Sequence, residues 1–339
     1  MSLATFQAQF LPAIEDALQA AVQPALLTHP HTPQELLAML RYHMGWEGTG
    51  AGPKASGKRV RPTLVLLSAA AAGADWRSAL PAAAAVEILH NFSLIHDDIQ
   101  DNSEQRRGRP TVWAEWGMPQ AINAGDTLFA LAHMALEGLA ETSSERAYLE
   151  AVRLLPRTSL QLTQGQYLDL AYERMPEITT EDYWPMIWGK TGALIAACVR
   201  LGALVGGAEG ARLKAYMVFG EKLGLAFQVH DDLLGIWGNP DAMGKSAHTD
   251  LLSGKKSLPV LYALAQQGEF ARGWQAGVSE ANVAALAQQL EAEGARAYTQ
   301  QQAEKLTEEA ITALQAAQPA AEPGAALAEL ADELGRREI

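Results

Sequence analysis

The sequence predicts an all-α fold, and three observations carry that expectation. Alanine dominates the 339 residues while β-branched and aromatic residues are sparse, a composition that favours long helices over sheets. Apolar residues persist through runs longer than a strand, above all over 81–102, where helical spacing brings them together. Gly, Pro, Asp and Ser gather between those runs, where turns belong. With 48% hydrophobic residues the chain can bury a large core. There is no internal repeat, no heptad run and no long linker. The expectation is therefore a single domain over 1–339, with a motif-bearing core at about 57–261 and C-terminal helices over 274–339.

In chain order, residues 1–45 read as helical, punctuated by Pro30 and Pro33, and GWEGTGAGPKASG ends a turn-rich stretch at Gly57. Helical pattern resumes after Pro62. The segment 81–102 opens with Pro81, whose missing N–H is harmless in a first helical turn. It stays apolar through Val86, Ile88, Leu89, Phe92, Leu94 and Ile95, and ends in Asp97, Asp98 and Asp101. NSEQRRGRPTVW then reads as a loop. Further helices are expected over 125–139, 145–172, 180–206 and 211–236, a loop over 238–254, and surface helices from Trp274 onwards.

Charge narrows the function. Acidic residues outnumber basic ones 39 to 26, a formal net charge of -13, which repels nucleic acid and anionic lipid over most of the surface. Any bound anion must be held locally. Cys198 is the single cysteine, so neither an intramolecular disulfide nor a cysteine-ligated zinc site is available, and a cytoplasmic location is expected. The N-terminal run carries Glu15 and Asp16 without a basic leader, unlike a signal peptide. The apolar stretches 64–74 and 193–208 fall short of the roughly 20 residues of a membrane span.

An apolar helix ending in three carboxylates needs a reason. On a helix Asp97 and Asp101 share a face, about 6 Å apart along the axis. Their repulsion raises each other's pKa and asks for a cation. Magnesium suits the pattern, because it takes one or two carboxylates together with substrate phosphate oxygens. Downstream lie Arg106 and Arg107 with Arg109; upstream, GKRVRP gathers Lys58, Arg59 and Arg61. Guanidinium forks suit phosphate oxygens. A second apolar helix runs FQVHDDLLG into Asp231 and Asp232, with Lys245, Lys255 and Lys256 beyond. Between the two clusters stand Gln166 and Asp169 in GQYLDL, and Lys190 and Thr191 in WGKTGAL. Two such acidic helix ends could hold a diphosphate between metal ions and neutralise a departing pyrophosphate.

In the order GKRVRP, LHNFSLIHDDIQDNSEQRRGRPTVW, GQYLDL, GKTGAL, FQVHDD and the GK of 244–245, the chain resembles the trans-isoprenyl diphosphate synthases of the polyprenyl synthetase family. That resemblance covers roughly 57–261. It implies an all-α bundle around a deep cavity, a homodimer, and the joining of an allylic diphosphate to isopentenyl diphosphate. It also implies about three magnesium ions held with the diphosphate. By position, Asp97, Asp98, Asp101, Asp231 and Asp232 would hold magnesium and the allylic diphosphate, assisted by Arg106, Lys190 and Lys245. Lys58, Arg61, His90 and Arg107 would hold isopentenyl diphosphate. Gln166 and Asp169 would add to the allylic site, with Asp169 near metal, while Thr191 and Gln228 would direct oxygen dipoles at a developing carbocation. His96 is read as a supporting or core residue, and His230 is unassigned. Where the family's second motif often ends in a third aspartate, this chain has Gly235.

Phe92, five residues before Asp97, lies about 7.5 Å down the helix axis, and its ring could floor the cavity. In the family a bulky residue there goes with short products, so geranylgeranyl diphosphate is the expected product and farnesyl diphosphate the alternative. A class I terpene cyclase would share the first acid cluster but has no use for Lys58, Arg61, His90 and Arg107 as a second diphosphate site. A catalytically silent partner subunit is the other rival, with Gly235 as its support. No organic cofactor is implied.

Overall fold

The protein is described here from a computed structural model that covers residues 1–27, 33–238 and 248–335. Its helices are α1 Leu3–Leu27, α2 Gln34–His43, α3 Pro53–Ser56, α4 Val60–Ala72, α5 Leu80–Gln100, α6 Val112–Trp116, α7 Met118–Ala135, α8 Leu139–Thr142 and α9 Glu145–Arg174. They continue with α10 Thr180–Ile187, α11 Ala193–Val205, α12 Gly210–Trp237, α13 Thr249–Leu252, α14 Leu258–Gln266, α15 Glu269–Gln275, α16 Val283–Ala292, α17 Ala295–Ala316 and α18 Ala321–Gly335. The expected all-α class holds. The 102–113 loop departs from expectation in detail: it carries a two-stranded antiparallel ribbon, with Gln105 opposite Pro110 and Arg106 opposite Arg109.

The described residues sort into two compact units interleaved along the chain: 1–157, 197–213 and 319–327 in the first, and 158–196, 214–318 and 328–339 in the second. The sequence had given no linker to suggest this, because each unit is assembled from separated stretches.

The first unit is organised by α5. Pro81 stands at its start, as expected, and Ala82 through Ile95 are buried except His90. A helix apolar on nearly every side belongs at the centre of a bundle. It packs most extensively on α7, then on α4 and α1. Gly125 of α7 permits the close approach, since a side chain there would run into the His96 ring.

The second unit packs α10, α12, α14 and α17 around Tyr183, Ile187, Val229, Leu258 and Leu306. Thr179 and Asp182 cap α10 reciprocally, each satisfying the other's backbone N–H, which fixes where that helix begins and so where Tyr183 falls. Residues 188–192 form a π-type turn between α10 and α11. Its Gly189 lies against the Gly165 backbone of α9, and its Gly192 against Gly224 of α12. Helices meet this closely only where no Cβ intervenes. The stretches 76–100 and 180–205 are long and apolar enough to cross a membrane by composition, but 72% and 78% of their apolar windows are buried in the protein, the condition of core helices.

Candidate active site

In the first unit the basic segment is set by a buried anchor. Arg59 adopts a left-handed conformation (φ 48°) just before α4, and its guanidinium is almost fully enclosed. Nε donates to Glu15 Oε1 at 2.7 Å and Nη1 to Glu87 Oε1 at 2.8 Å. Glu15 also accepts from Trp46 Nε1 at 2.8 Å, and Glu87 accepts from Asn91 Nδ2 at 3.3 Å. Two carboxylates thus spend Arg59 on the fold, and its neighbours in the segment, Lys58, exposed, and Arg61, half-buried, are what it presents.

Arg61 Nη1 lies 3.2 Å from His90 Nε2. Because a guanidinium only donates, Nε2 is the acceptor and His90 is neutral. Burial, then Arg61, Arg107 and Arg106, holds its pKa well below the ordinary value. Arg107 (φ 53°) sends Nη1 to the Ala55 carbonyl at 2.7 Å. Gly57 (φ 82°) is required there twice, since a Cβ would also meet the Arg107 guanidinium at 2.6 Å. His43, on α2, faces the same charges: burial, Arg106 and Arg107 push its pKa down to about 3. Arg61, His90 and Arg107 therefore form one electropositive cluster, as expected.

The three arginines of the loop divide. Arg106 grips Asp98, Nε donating to Oδ1 at 2.8 Å and to Oδ2 at 3.0 Å, with Nη2 at 2.8 Å from Oδ1. Arg109 corrects its expected grouping with the phosphate binders. It donates to the carbonyls of Thr49, Tyr42 and Glu47 at 2.7–2.9 Å and lies 3.9 Å over the Tyr42 ring.

Asp98 differs from its neighbours. Its side chain is only 2% exposed, both oxygens are taken by Arg106, and burial raises its pKa against the pull of Arg106. Asp97 is half-buried and Asp101 exposed, so these two, one turn apart, are the oxygens offered outward. Phe92 is 8% exposed, with His96 and Phe129 rings 4.8 and 5.1 Å away. His96 is occupied by that packing and by Asp126 at 3.7 Å, in keeping with a supporting role.

The second unit repeats the arrangement with different partners. Asp232 is buried, and four donors reach it: Tyr183 Oη at 2.7 Å, the Leu258 N–H at 3.1 Å, Gln228 Nε2 at 3.0 Å and Lys255 Nζ at 3.4 Å. These donors engage both oxygens of Asp232, which the sequence places among the expected metal ligands. Asp231 is exposed and makes no side-chain hydrogen bond among the described residues. Lys190 pairs with Asp169, the residue expected near metal. Thr191 Oγ1 donates to Gln228 Oε1 at 2.6 Å. The Gln228 oxygen is thereby engaged, and of the two expected dipoles the Thr191 oxygen keeps its lone pairs. Gln166 and His230 are buried. Lys245 lies outside the described residues. Lys256 donates to the Tyr172 and Met175 carbonyls at the end of α9, a helix-capping role.

Sequence reasoning missed Tyr183 and Asp250 and left Lys255 without a role. Lys255 bonds Asp232 and, at 3.1 Å, Asp250. Burial opposes its charge, but Asp232, Asp250 and Asp231 together raise its pKa well above the ordinary lysine value. Burial and Asp232 likewise keep the Tyr183 phenol protonated. The signal was the GKKS stretch after the acid motif; nothing local showed which lysine turns inward.

A match to the family described as "Polyprenyl synthetase" spans residues 51–291. A geranylgeranyl diphosphate synthase from Mycobacterium tuberculosis is 46% identical over 242 residues, 70% of this chain and 68% of the relative. A (2E,6E)-farnesyl diphosphate synthase from Mycobacterium bovis is 40% identical over 278 residues, 79% and 76% of the two chains. The crystal structure of a polyprenyl synthetase from Streptomyces coelicolor superposes with a TM-score of 0.87 at 37% identity, covering 98% of this chain and 99% of that one. An all-α fold bearing paired acid motifs and a guanidinium cluster, with these likenesses, defines a prenyltransferase that makes trans-prenyl diphosphates. The chain belongs to the polyprenyl synthetase family.

Proposed function

We propose that the enzyme condenses isopentenyl diphosphate head-to-tail with an allylic diphosphate, in the presence of magnesium, to give geranylgeranyl diphosphate. The observation that carries the two-substrate reading is the cluster of Arg61, His90 and Arg107, held in place by the buried Arg59 anchor. These cations are suited to a second diphosphate besides the one at the acid motifs, and a cyclase has no need of them.

In the first unit Asp97 and Asp101, and in the second Asp231, offer hard carboxylate oxygens of the kind that suits magnesium. When bound, magnesium supplies positive charge that stabilises the pyrophosphate leaving the allylic carbon. Asp98 and Asp232 hold Arg106 and Lys255 in position. Lys58, Arg61 and Arg107 bind and orient the second diphosphate, with His90 fixing the Arg61 guanidinium. Thr191 directs an oxygen lone pair towards developing positive charge. The chain needs no protein nucleophile. Phe92, enclosed and packed at a tilt against Phe129, supports a floor close to the acid motif and hence a short product; the M. bovis relative makes farnesyl diphosphate synthase the second reading.

We assign a homodimer on the large apolar side chains that α7 leaves exposed, Met118, Ile122, Phe129 and Met134, with Leu149 and Val152 on α9. We also assign a reducing, cytoplasmic setting: Cys198 is buried and its thiol is pushed up to about 12, inert rather than poised for oxidation. The test of function is incubation with magnesium, isopentenyl diphosphate and, separately, dimethylallyl, geranyl or farnesyl diphosphate, with products sized by mass spectrometry. A twenty-carbon product that disappears with chelator is expected; no elongation from any primer would overturn the reading.

A further inference from the structure

His43 ends α2, and the backbone is pinned on both sides of it. The Tyr42 carbonyl accepts from Arg109 Nη1 at 2.9 Å and the Met44 carbonyl from Arg59 Nη2 at 3.4 Å, while Met44 itself is fully buried. These are the two arginines that belong to the fold, so the imidazole between them has a fixed place. It faces the loop arginines, and burial, Arg106 and Arg107 keep it neutral. A neutral imidazole has one N–H and one bare nitrogen. The Asn91 carbonyl faces the ring and takes the N–H, whereas Nε2 is buried and has no hydrogen-bond partner among the described residues. A buried acceptor is costly unless a donor reaches it.

The ring borders a cavity of about 20 Å³ that Ala55, Asp98, Arg106 and Arg107 also line. That is room for about one water molecule and too little for a diphosphate, and the lining offers the several polar partners a buried water needs. Its two guanidinium groups are unequally held. Arg106 makes three contacts to Asp98. Arg107, in left-handed backbone (φ 53°), makes one side-chain hydrogen bond among the described residues, Nη1 to the Ala55 carbonyl at 2.7 Å. A single bond fixes a guanidinium at a point and leaves its plane free to turn; a second acceptor fixes the plane. Guanidinium N–H groups only donate and the bare Nε2 only accepts. A water between them, accepting from Arg107 and donating to Nε2, satisfies both.

We propose that His43 is a positioning residue for Arg107: through a bound water, its Nε2 holds the guanidinium at the angle that receives isopentenyl diphosphate. This rests on the diphosphate reading of Arg107 given above. The test is steady-state kinetics of the full chain with magnesium, varying isopentenyl diphosphate at saturating geranyl diphosphate and then the converse, with thermal melts confirming that each variant is folded. His43→Phe keeps a ring and removes the acceptor. It should raise KM for isopentenyl diphosphate about tenfold, as loss of a hydrogen bond to a charged group does, while KM for geranyl diphosphate and kcat stay within about twofold. His43→Gln, whose amide oxygen takes the place of Nε2, should restore most of the affinity; His43→Leu replaces His43→Phe if the latter does not fold. In an Arg107→Gln background His43→Phe should add no further rise, because the two residues act as a unit. A wild-type KM in His43→Phe, an equal rise for both substrates, no recovery with glutamine, or a rise additive with Arg107→Gln would each overturn the positioning role and spare the diphosphate reading. An unchanged KM for isopentenyl diphosphate in Arg107→Gln would overturn both.

Discussion

Asp97–Asp98 in the first unit and Asp231–Asp232 in the second are the same dipeptide at the same place, the end of a long apolar helix. In both, the second aspartate is buried and fully engaged while the first faces outward. Successive residues on a helix point about 100° apart, so one of two adjacent aspartates must turn towards the bundle. The partners differ. Asp98 is held by one guanidinium that is 32% exposed; Asp232 is held by a phenol, a backbone N–H, an amide and an ammonium. The first pair sits among arginines, the second beside a lysine and further carboxylates that balance one another. An adjacent-aspartate motif therefore combines one presented oxygen donor with one internal strut, and the strut is adapted to each unit.

The largest expected effect concerns the presented members. Asp97→Asn and Asp231→Asn should each lower kcat by about a thousandfold, the equivalent of several kcal/mol of metal-derived charge stabilisation, with little change in melting temperature. Steady-state kinetics at saturating magnesium checks this, and a large loss of stability in either variant would break the division between donor and strut.

The struts should show the opposite pattern. Asp232→Ala strands a buried phenol, an N–H and Lys255, and should cost about 3–5 kcal/mol of unfolding free energy. Asp98→Ala frees an arginine that can hydrate, and should cost about 1–2 kcal/mol, while raising KM for substrate diphosphate. Urea denaturation of both variants ranks them; equal losses would show that the two struts do equivalent work.

The two units should also fail at opposite ends of the pH scale. His43 has a folded pKa of about 3 against 6.5 unfolded, so the unfolded chain takes up its proton first. Its contribution is full above pH 6.5 and is lost as pH falls from there towards 3. His90 acts in the same direction. Lys255 is the reverse: its folded pKa is raised, so its contribution is full below the ordinary value of 10.5 and is lost as pH climbs beyond it. Denaturation midpoints measured against pH should flatten on the acid side in His43→Gln and on the alkaline side in Lys255→Met.

The smallest effect belongs to the first unit alone. Phe92→Ala should lengthen the product by about one five-carbon unit, whose extra length a helix spans in about one turn, as read by mass spectrometry. A melting temperature that falls while the product stays the same length would reduce Phe92 to core packing.

Sequence by itself determined the all-α class, the helix that ends at the first acid cluster, and the residue types needed for diphosphate and magnesium, because composition, periodicity and motif order are local properties. It singled out Asp97, Asp101, Asp231, Arg61, His90 and Arg107 as candidates from residue type and motif order. Tertiary structure decided which member of each aspartate pair turns inward, since helices apolar nearly all round give no local sign of which neighbour supplies a cation. It decided that Arg59 and Arg109 belong to the fold while Arg61 and Arg107 face outward, because a left-handed residue and a two-residue ribbon re-aim side chains of identical chemistry. It also decided that the Asp250 carboxylate lies against Gly235, fifteen residues away in sequence: a side chain's position depends on the backbone that carries it, and the packing of distant stretches leaves no local trace in sequence.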